Sequence, residues 1–161
     1  GLGRGFALER WPGIDAAVMA RLRAEARERQ LPAAGSPIVA SDRDAGAVDS
    51  ARANAERAGV APDITFAVRA VSHLSPPEGG IGSVVTNPPY GVRVGDEGEL
   101  RNLYARTGAV LRERFAGWRL AIVSADRRLT GQLGIPLRDA VRTSNGGIQV
   151  AFAVGEVPAA R

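Results

Sequence analysis

Four consecutive residues, Asn87-Pro88-Pro89-Tyr90, have the chemistry to hold an amine in a reactive shape. An exocyclic amine such as guanine N2 or adenine N6 is a poor nucleophile, because its lone pair is delocalised into the ring. Two acceptors in fixed positions can take its two protons in hydrogen bonds. The nitrogen is then pushed toward a tetrahedral shape, with its lone pair free to attack. The Asn87 side-chain carbonyl and the Pro88 backbone carbonyl are the candidate acceptors. Pro88 and Pro89 each fix φ near about −65°, so the turn is rigid before any substrate arrives. Tyr90 offers an aromatic face on which a splayed-out base can stack, worth roughly 1–3 kcal/mol. This is positioning and electrostatic preorganisation rather than strong acid–base chemistry. Asn-Pro and Pro-Pro also mark ordinary tight turns. Placement just past a buried strand, downstream of another strand ending in Asp, favours the functional reading.

Asp42 is the second candidate. It ends a short strand and precedes a helix, and ligands of open α/β sheets bind beyond the carboxyl ends of strands. A carboxylate there can accept hydrogen bonds from both hydroxyls of a ribose. It can equally cap the next helix, although Asp44 is available for that task. His73, the sole histidine, reads as a loop residue, because the chemistry above needs no base. Arg93 suits either a phosphate contact or plain surface. No metal-ligand cluster is evident.

The elements that must position these residues follow from pattern. Residues 1–13 read as loop. A helix is expected over 14–30, with Ile14, Val18, Leu22 and Ala26 on one stripe and a solvated charged face. A strand is expected at 36–41, then a helix from Asp44 to Ala58 closed by Gly59. Its inner stripe is Ala47, Val48, Ala51, Ala55 and Ala58. Strands follow at 64–68 and 81–86, the second leading into Asn87. The spacing of Leu100, Leu103, Tyr104, Thr107, Val110, Leu111 and Phe115 predicts a helix over 98–115. Arg101, Arg106, Arg112 and Arg114 fall on or near its outer face and read as solvated. A strand at 118–124, a short helix after Asp126 and two strands at 137–143 and 147–154 complete the chain. Ser144-Asn145-Gly146-Gly147 between the last two is a hairpin signal. Strands alternating with helices imply a mostly parallel α/β sheet closed by an antiparallel hairpin.

The 161 residues suit one domain, and 45% hydrophobic residues allow a real core. The absence of Cys excludes disulfides, thiolate nucleophiles and cysteine-ligated metals. No apolar run is long enough for a bilayer, no signal peptide is visible, and cytoplasm is the default location. All 21 basic residues are Arg and the net charge is +4. Arg-rich, Lys-free composition fits a GC-rich genome, and the charge permits nucleic-acid binding without establishing it.

The segments Gly1–Trp11, Ser41–Asp44, Ala53–Gly59, Ile64–Phe66, Thr86–Arg93, Gly117-Trp118 and Asn145-Gly146 resemble, in order and over nearly the whole chain, class I Rossmann-like methyltransferases. More narrowly they resemble the THUMP-containing rRNA guanine-N2 methyltransferases, Asn-Pro-Pro-Tyr-Gly-x-Arg being the most diagnostic piece. The resemblance implies S-adenosylmethionine as methyl donor, with Asp42 on its ribose and Asn87, Pro88 and Tyr90 around the target base. Arg43, Ala70, Val71 and Asn87 are further expected cofactor-side residues, and Pro89 and Arg93 complete the target side. RNA, rRNA above all, is the expected partner, and no membrane is. Adenine N6 and a protein glutamine amide are alternative acceptors. A non-catalytic RNA-binding module without a donor site is another alternative.

The sequence departs from this family twice. The family's glycine-rich cofactor loop is absent, so the chain reads as a truncated single domain, 1–161, lacking the first, central strand. A preceding segment or THUMP domain would supply the rest, and the chain alone is expected to be inactive. Ala70 stands where the family usually has Asp on the adenine amino group. Adenine recognition would then rest on backbone near Val71 and on apolar contacts.

Overall fold

A computed structural model describes residues 4–90 and 97–159. The chain divides into two compact units, one of residues 1–40 and 46–66, the other of 41–45 and 67–161.

The first unit carries helix α1 (Ala16–Glu28), most of strand β1 (Ile38–Asp42), most of helix α2 (Ala45–Ala58) and most of strand β2 (Ile64–Val68). The expected loop at 1–13 includes a 3₁₀ turn, Ala7–Arg10, whose Glu9 carboxylate accepts from the Phe6 amide at 3.0 Å and pairs with Arg23 of α1. Asp15 caps α1 by accepting from the Ala17 amide at 2.7 Å. The expected apolar stripe of α1 is not buried: Ile14, Val18 and Leu22 are all exposed. In α2 the expected inner stripe is buried at Val48 and Ala55 and half-buried at Ala51, whereas Ala47 and Ala58 are exposed. Strands β1 and β2 pair as a two-stranded sheet.

The second unit is built on four strands in the order β3-β4-β6-β5, with β3 at Ser83–Thr86, β4 at Arg119–Ser124, β5 at Arg138–Asn145 and β6 at Ile148–Glu156. β3 and β4 run parallel, with Ser83 beside Arg119 and Thr86 beside Ile122. β6 is antiparallel to both β4 and β5, so the closing hairpin enters the sheet as expected. On its side away from β4, β3 has no strand partner among the described residues, and Val85 in its middle is 78% exposed.

Helix α3 (Glu97–Arg114) supplies the largest share of the core. All seven of its predicted inward residues are buried or half-buried. Leu100, Tyr104, Val110, Leu111 and Phe115 meet Leu120 and Ile122 of β4 and Ala153 of β6. Phe115 and Trp118 make an edge-to-face aromatic pair, with centroids 5.2 Å apart. Gly108 is required where α3 crosses the segment before β5: a Cβ there would sit 2.5 Å from the Leu133 Cα and nearer still to its carbonyl oxygen. Two arginines read as solvated are tied down instead. Arg112 donates to the Leu133 carbonyl, and Arg114 donates to the carbonyls of Ser72 and Leu74 at 3.2 and 3.0 Å. Their aliphatic stems carry the guanidinium well away from the Cα position that periodicity reports.

No helix among the described residues is long and apolar enough to cross a membrane.

Candidate active site

The parallel strands β3 and β4 fix where the candidate tetrapeptide sits. Thr86 is the last residue of β3, so Asn87-Pro88-Pro89-Tyr90 leaves the sheet at a strand's carboxyl end, as expected for a ligand site in this architecture. The four residues form no regular structure. Asn87 is exposed and Pro88 half-buried. Among the described residues nothing donates to the Asn87 amide oxygen or to the Pro88 carbonyl. Both acceptors assigned to an amine are therefore left open by the described residues.

The rest of the turn is fastened. The Tyr104 hydroxyl, on α3, donates to the Pro89 carbonyl at 3.4 Å. Tyr104 is 1% exposed, and burial pushes its phenol above the ordinary 10.0, with a hydrogen bond to Ser124 acting the other way. A phenol held protonated in this way stays a donor. Ser124, at the end of β4, is itself buried, and its hydroxyl accepts from the Asp126 amide at 3.2 Å. Tyr90 packs half-buried against the core, and its hydroxyl accepts from the Asn145 side-chain amide at 3.0 Å. Two partners thus grip Pro89 and Tyr90, while the preceding two acceptors have no donor among the described residues.

Sequence reasoning missed both fasteners. It placed Tyr104 on the inner stripe without assigning its hydroxyl a partner. It placed Asn145 inside the hairpin turn. In the structure Asn145 is the last residue of β5, and the two-residue turn is Gly146-Gly147, with φ of 56° and 84°. Two successive positive φ values define the turn class that matches strand twist, and glycine adopts them without strain. The Asn145 side chain is left to reach Tyr90, 55 positions away.

On the expected cofactor side, Asp42 ends β1 and is exposed. Its Oδ1 accepts from the Asp44 amide at 2.9 Å, so the residue takes part in starting α2. Its backbone carbonyl accepts from the Arg69 amide at 2.7 Å, which ties the end of β1 to the end of β2. The second carboxylate oxygen has no hydrogen bond among the described residues. Arg43 is exposed. Ala70 and Val71 are half-buried and open a 3₁₀ turn, Val71–His73, in which the Ala70 carbonyl accepts from the His73 amide. His73 is exposed on that turn. Arg93 lies outside the described residues. Among the described residues no group of three His, Asp or Glu side chains is arranged to hold a metal.

Residues 1–149 match the family model of the RMKL-like methyltransferase domain, and the chain belongs to that family. Its backbone superposes on SMU.472, a protein crystallised with SAH, at a TM-score of 0.81 with 26% identity. That match takes in all of this chain and 42% of the other. A protein from Listeria monocytogenes, described as a predicted N6-adenine-specific DNA methylase, matches at 0.67 with 27% identity over 95% of this chain and 39% of its own. TrmN from Thermus thermophilus shares the fold at a TM-score of 0.59 with 24% identity, over 84% of this chain and 40% of its own. The chain therefore spans less than half the length of each of these three proteins. The fold is the Rossmann-like methyltransferase α/β sheet.

Proposed function

We propose that the protein carrying this chain transfers a methyl group from S-adenosylmethionine to an exocyclic amine of a nucleobase, guanine N2 in rRNA. Residues 1–161 act in it as a single methyltransferase domain. The observation that carries the reading is the division of labour within one turn. The Asn87 amide and the Pro88 carbonyl have no donor among the described residues, whereas Pro89 and Tyr90 are held by Tyr104 and Asn145. A turn that only reversed the chain would need no such asymmetry.

The cofactor-side residues fit the donor in part. Asp42 has one carboxylate oxygen free at a strand end, which suits a ribose hydroxyl. Ala70 offers no carboxylate, which leaves the adenine to backbone near Val71 and to apolar contacts. The bound donor supplies an electrophilic methyl group. The work of this chain is then to orient the acceptor. Asn87 and Pro88 take the two amine protons in hydrogen bonds and direct the nitrogen lone pair. Tyr90 stacks against the base, and Arg93 is assigned to a phosphate or to the flipped nucleotide.

An adenine-N6 acceptor is the second reading, favoured by the description of the Listeria neighbour. The same two acceptors would serve it.

The test is methyl incorporation into rRNA by the full-length protein and its Asn87→Ala variant. Removing one preorganised polar group from such a site costs roughly 100- to 1,000-fold in turnover. A variant that keeps full activity would overturn the mechanism.

A further inference from the structure

A basic cleft opens between helix α4 (Arg127–Gly131) and the β5–β6 hairpin. Its larger lobe has a volume of about 670 Å³ and is lined by Arg127, Thr130, Arg138, Asp139 and Arg142 over an apolar floor that includes Ile135. A second lobe of about 410 Å³ shares Arg127, Asp139 and Arg142 and extends to Ser124 and Gln149.

The charges in the larger lobe do not balance. Three arginines face one carboxylate, a net charge of +2. Asp139 is well shielded, its side chain 17% exposed, and a single oxygen takes both guanidiniums, Arg127 at 2.6 Å and Arg142 at 2.8 Å. The two guanidinium-bearing side chains are 74% and 69% exposed. Each guanidinium has five donors, so most of its hydrogen-bonding capacity still points outward. Arg138 has no carboxylate partner among the described residues. An ion pair that served only to fasten α4 to β5 would need one arginine, buried with its partner. A shared carboxylate that aims two exposed forks, with a third arginine beside them, matches a ligand with repeated anionic oxygens.

The cleft also adjoins the site. Ser124, the last residue of β4, lines its smaller lobe, and β3, which runs parallel beside β4, ends in the Asn87–Tyr90 turn. The hairpin that forms one wall of the cleft also sends Asn145 to Tyr90.

We propose that this cleft holds the phosphodiester chain of the nucleic-acid strand that presents the target base. The inference rests on the function proposed above and adds to it a second point of attachment. Arg127, Arg138 and Arg142 bind phosphates without reading sequence, and the Asn87–Tyr90 turn takes the base.

The test measures binding of the full-length protein to a labelled single-stranded RNA of roughly 12 nucleotides, within the span of a single-strand groove, over a range of salt. A DNA of the same sequence and an acidic peptide are run alongside. Each phosphate contact contributes about 0.7 to the slope of log affinity against log salt for single strands. Arg138→Gln and Arg142→Gln should each lower that slope by about this amount and weaken binding several-fold, whatever the sequence. Arg138→Lys should retain the slope, because the charge is kept. Arg138→Gln should melt as the parent does, because it breaks no ion pair. A larger effect on RNA than on DNA, or the reverse, names the strand. Unchanged slopes in both glutamine variants would overturn the proposal, as would an effect confined to the acidic peptide. The function itself is separable: a fully active Asn87→Ala variant would sink the methyl-transfer mechanism and leave the slope result standing. An inactive Asn87→Ala variant with unchanged arginine slopes would sink the cleft alone.

Discussion

Removing one oxygen atom, by Tyr104→Phe, separates the positioning role of the core from its packing. The ring stays, so no cavity opens beneath α3, whereas Tyr104→Ala would cost about 3–5 kcal/mol through the void it leaves. Only the hydroxyl's bonds are lost. At 3.4 Å the bond to the Pro89 carbonyl is long for O–H···O. Its net worth therefore falls at the low end of the usual range, about 0.5–1 kcal/mol. Pro89 is exposed, so water replaces the lost donor there, and the Ser124 hydroxyl keeps its bonds with Asp126. For a chain of this size such a loss lowers Tm by about 1–4 °C. The same bond sets the direction of the carbonyl after the two open acceptors, so its loss should lower kcat for methyl transfer. Misalignment worth about 1 kcal/mol corresponds to roughly fivefold, with KM for the nucleic acid little changed. Alkaline pH gives an independent readout. Burial raises the folded phenol above 10.0, so between 10.0 and that higher value the unfolded chain has released a proton that the folded chain retains. The phenol's contribution is full below pH 10.0 and is lost as pH rises through the folded pKa. The variant should lack this alkaline loss. The assay is kcat and KM on the full-length protein, with thermal melts at neutral and alkaline pH. A variant with the expected fall in Tm and an unchanged kcat would refute the positioning argument.

Two further outcomes follow from single contacts. Asn145→Ala removes an exposed hydrogen bond to Tyr90 and should leave the folding stability within about 0.5 kcal/mol of the parent. It should nevertheless lower kcat/KM several-fold, which steady-state kinetics would show. Gly108→Ala gains about 1 kcal/mol of helix propensity but drives a Cβ into the Leu133 backbone, which cannot swing aside. Overpacking of this kind costs about 1–3 kcal/mol or more, so about 0–2 kcal/mol or more of net destabilisation is expected from denaturant melts.

What the sequence made legible was local and periodic. The inward stripe of α3 could be read in full because a helix repeats every 3.6 residues and its core face repeats with it. The strand ends before Asp42 and Asn87 could be placed because a short apolar run met a polar residue or a proline at once. Long-range reach was not legible. Arg112 and Arg114 read as solvated because periodicity locates a Cα and not the end of a long side chain. Asn145 read as a turn residue because Asn-Gly is a strong local signal. Only the tertiary fold shows that the turn is Gly146-Gly147 and that Asn145 meets Tyr90. The shared use of Asp139 by two arginines was equally out of sight, since Arg127 comes from a different element.

The central claim is that the open carbonyls of Asn87 and Pro88 cradle an exocyclic nitrogen. Nuclease digestion of rRNA methylated by the full-length protein, followed by mass spectrometry of the nucleosides, tests it most directly. The account predicts one methyl group on an amino nitrogen, N2 of guanosine. A methyl group on a ring carbon or a ribose oxygen would contradict it, because neither presents two protons to a pair of acceptors.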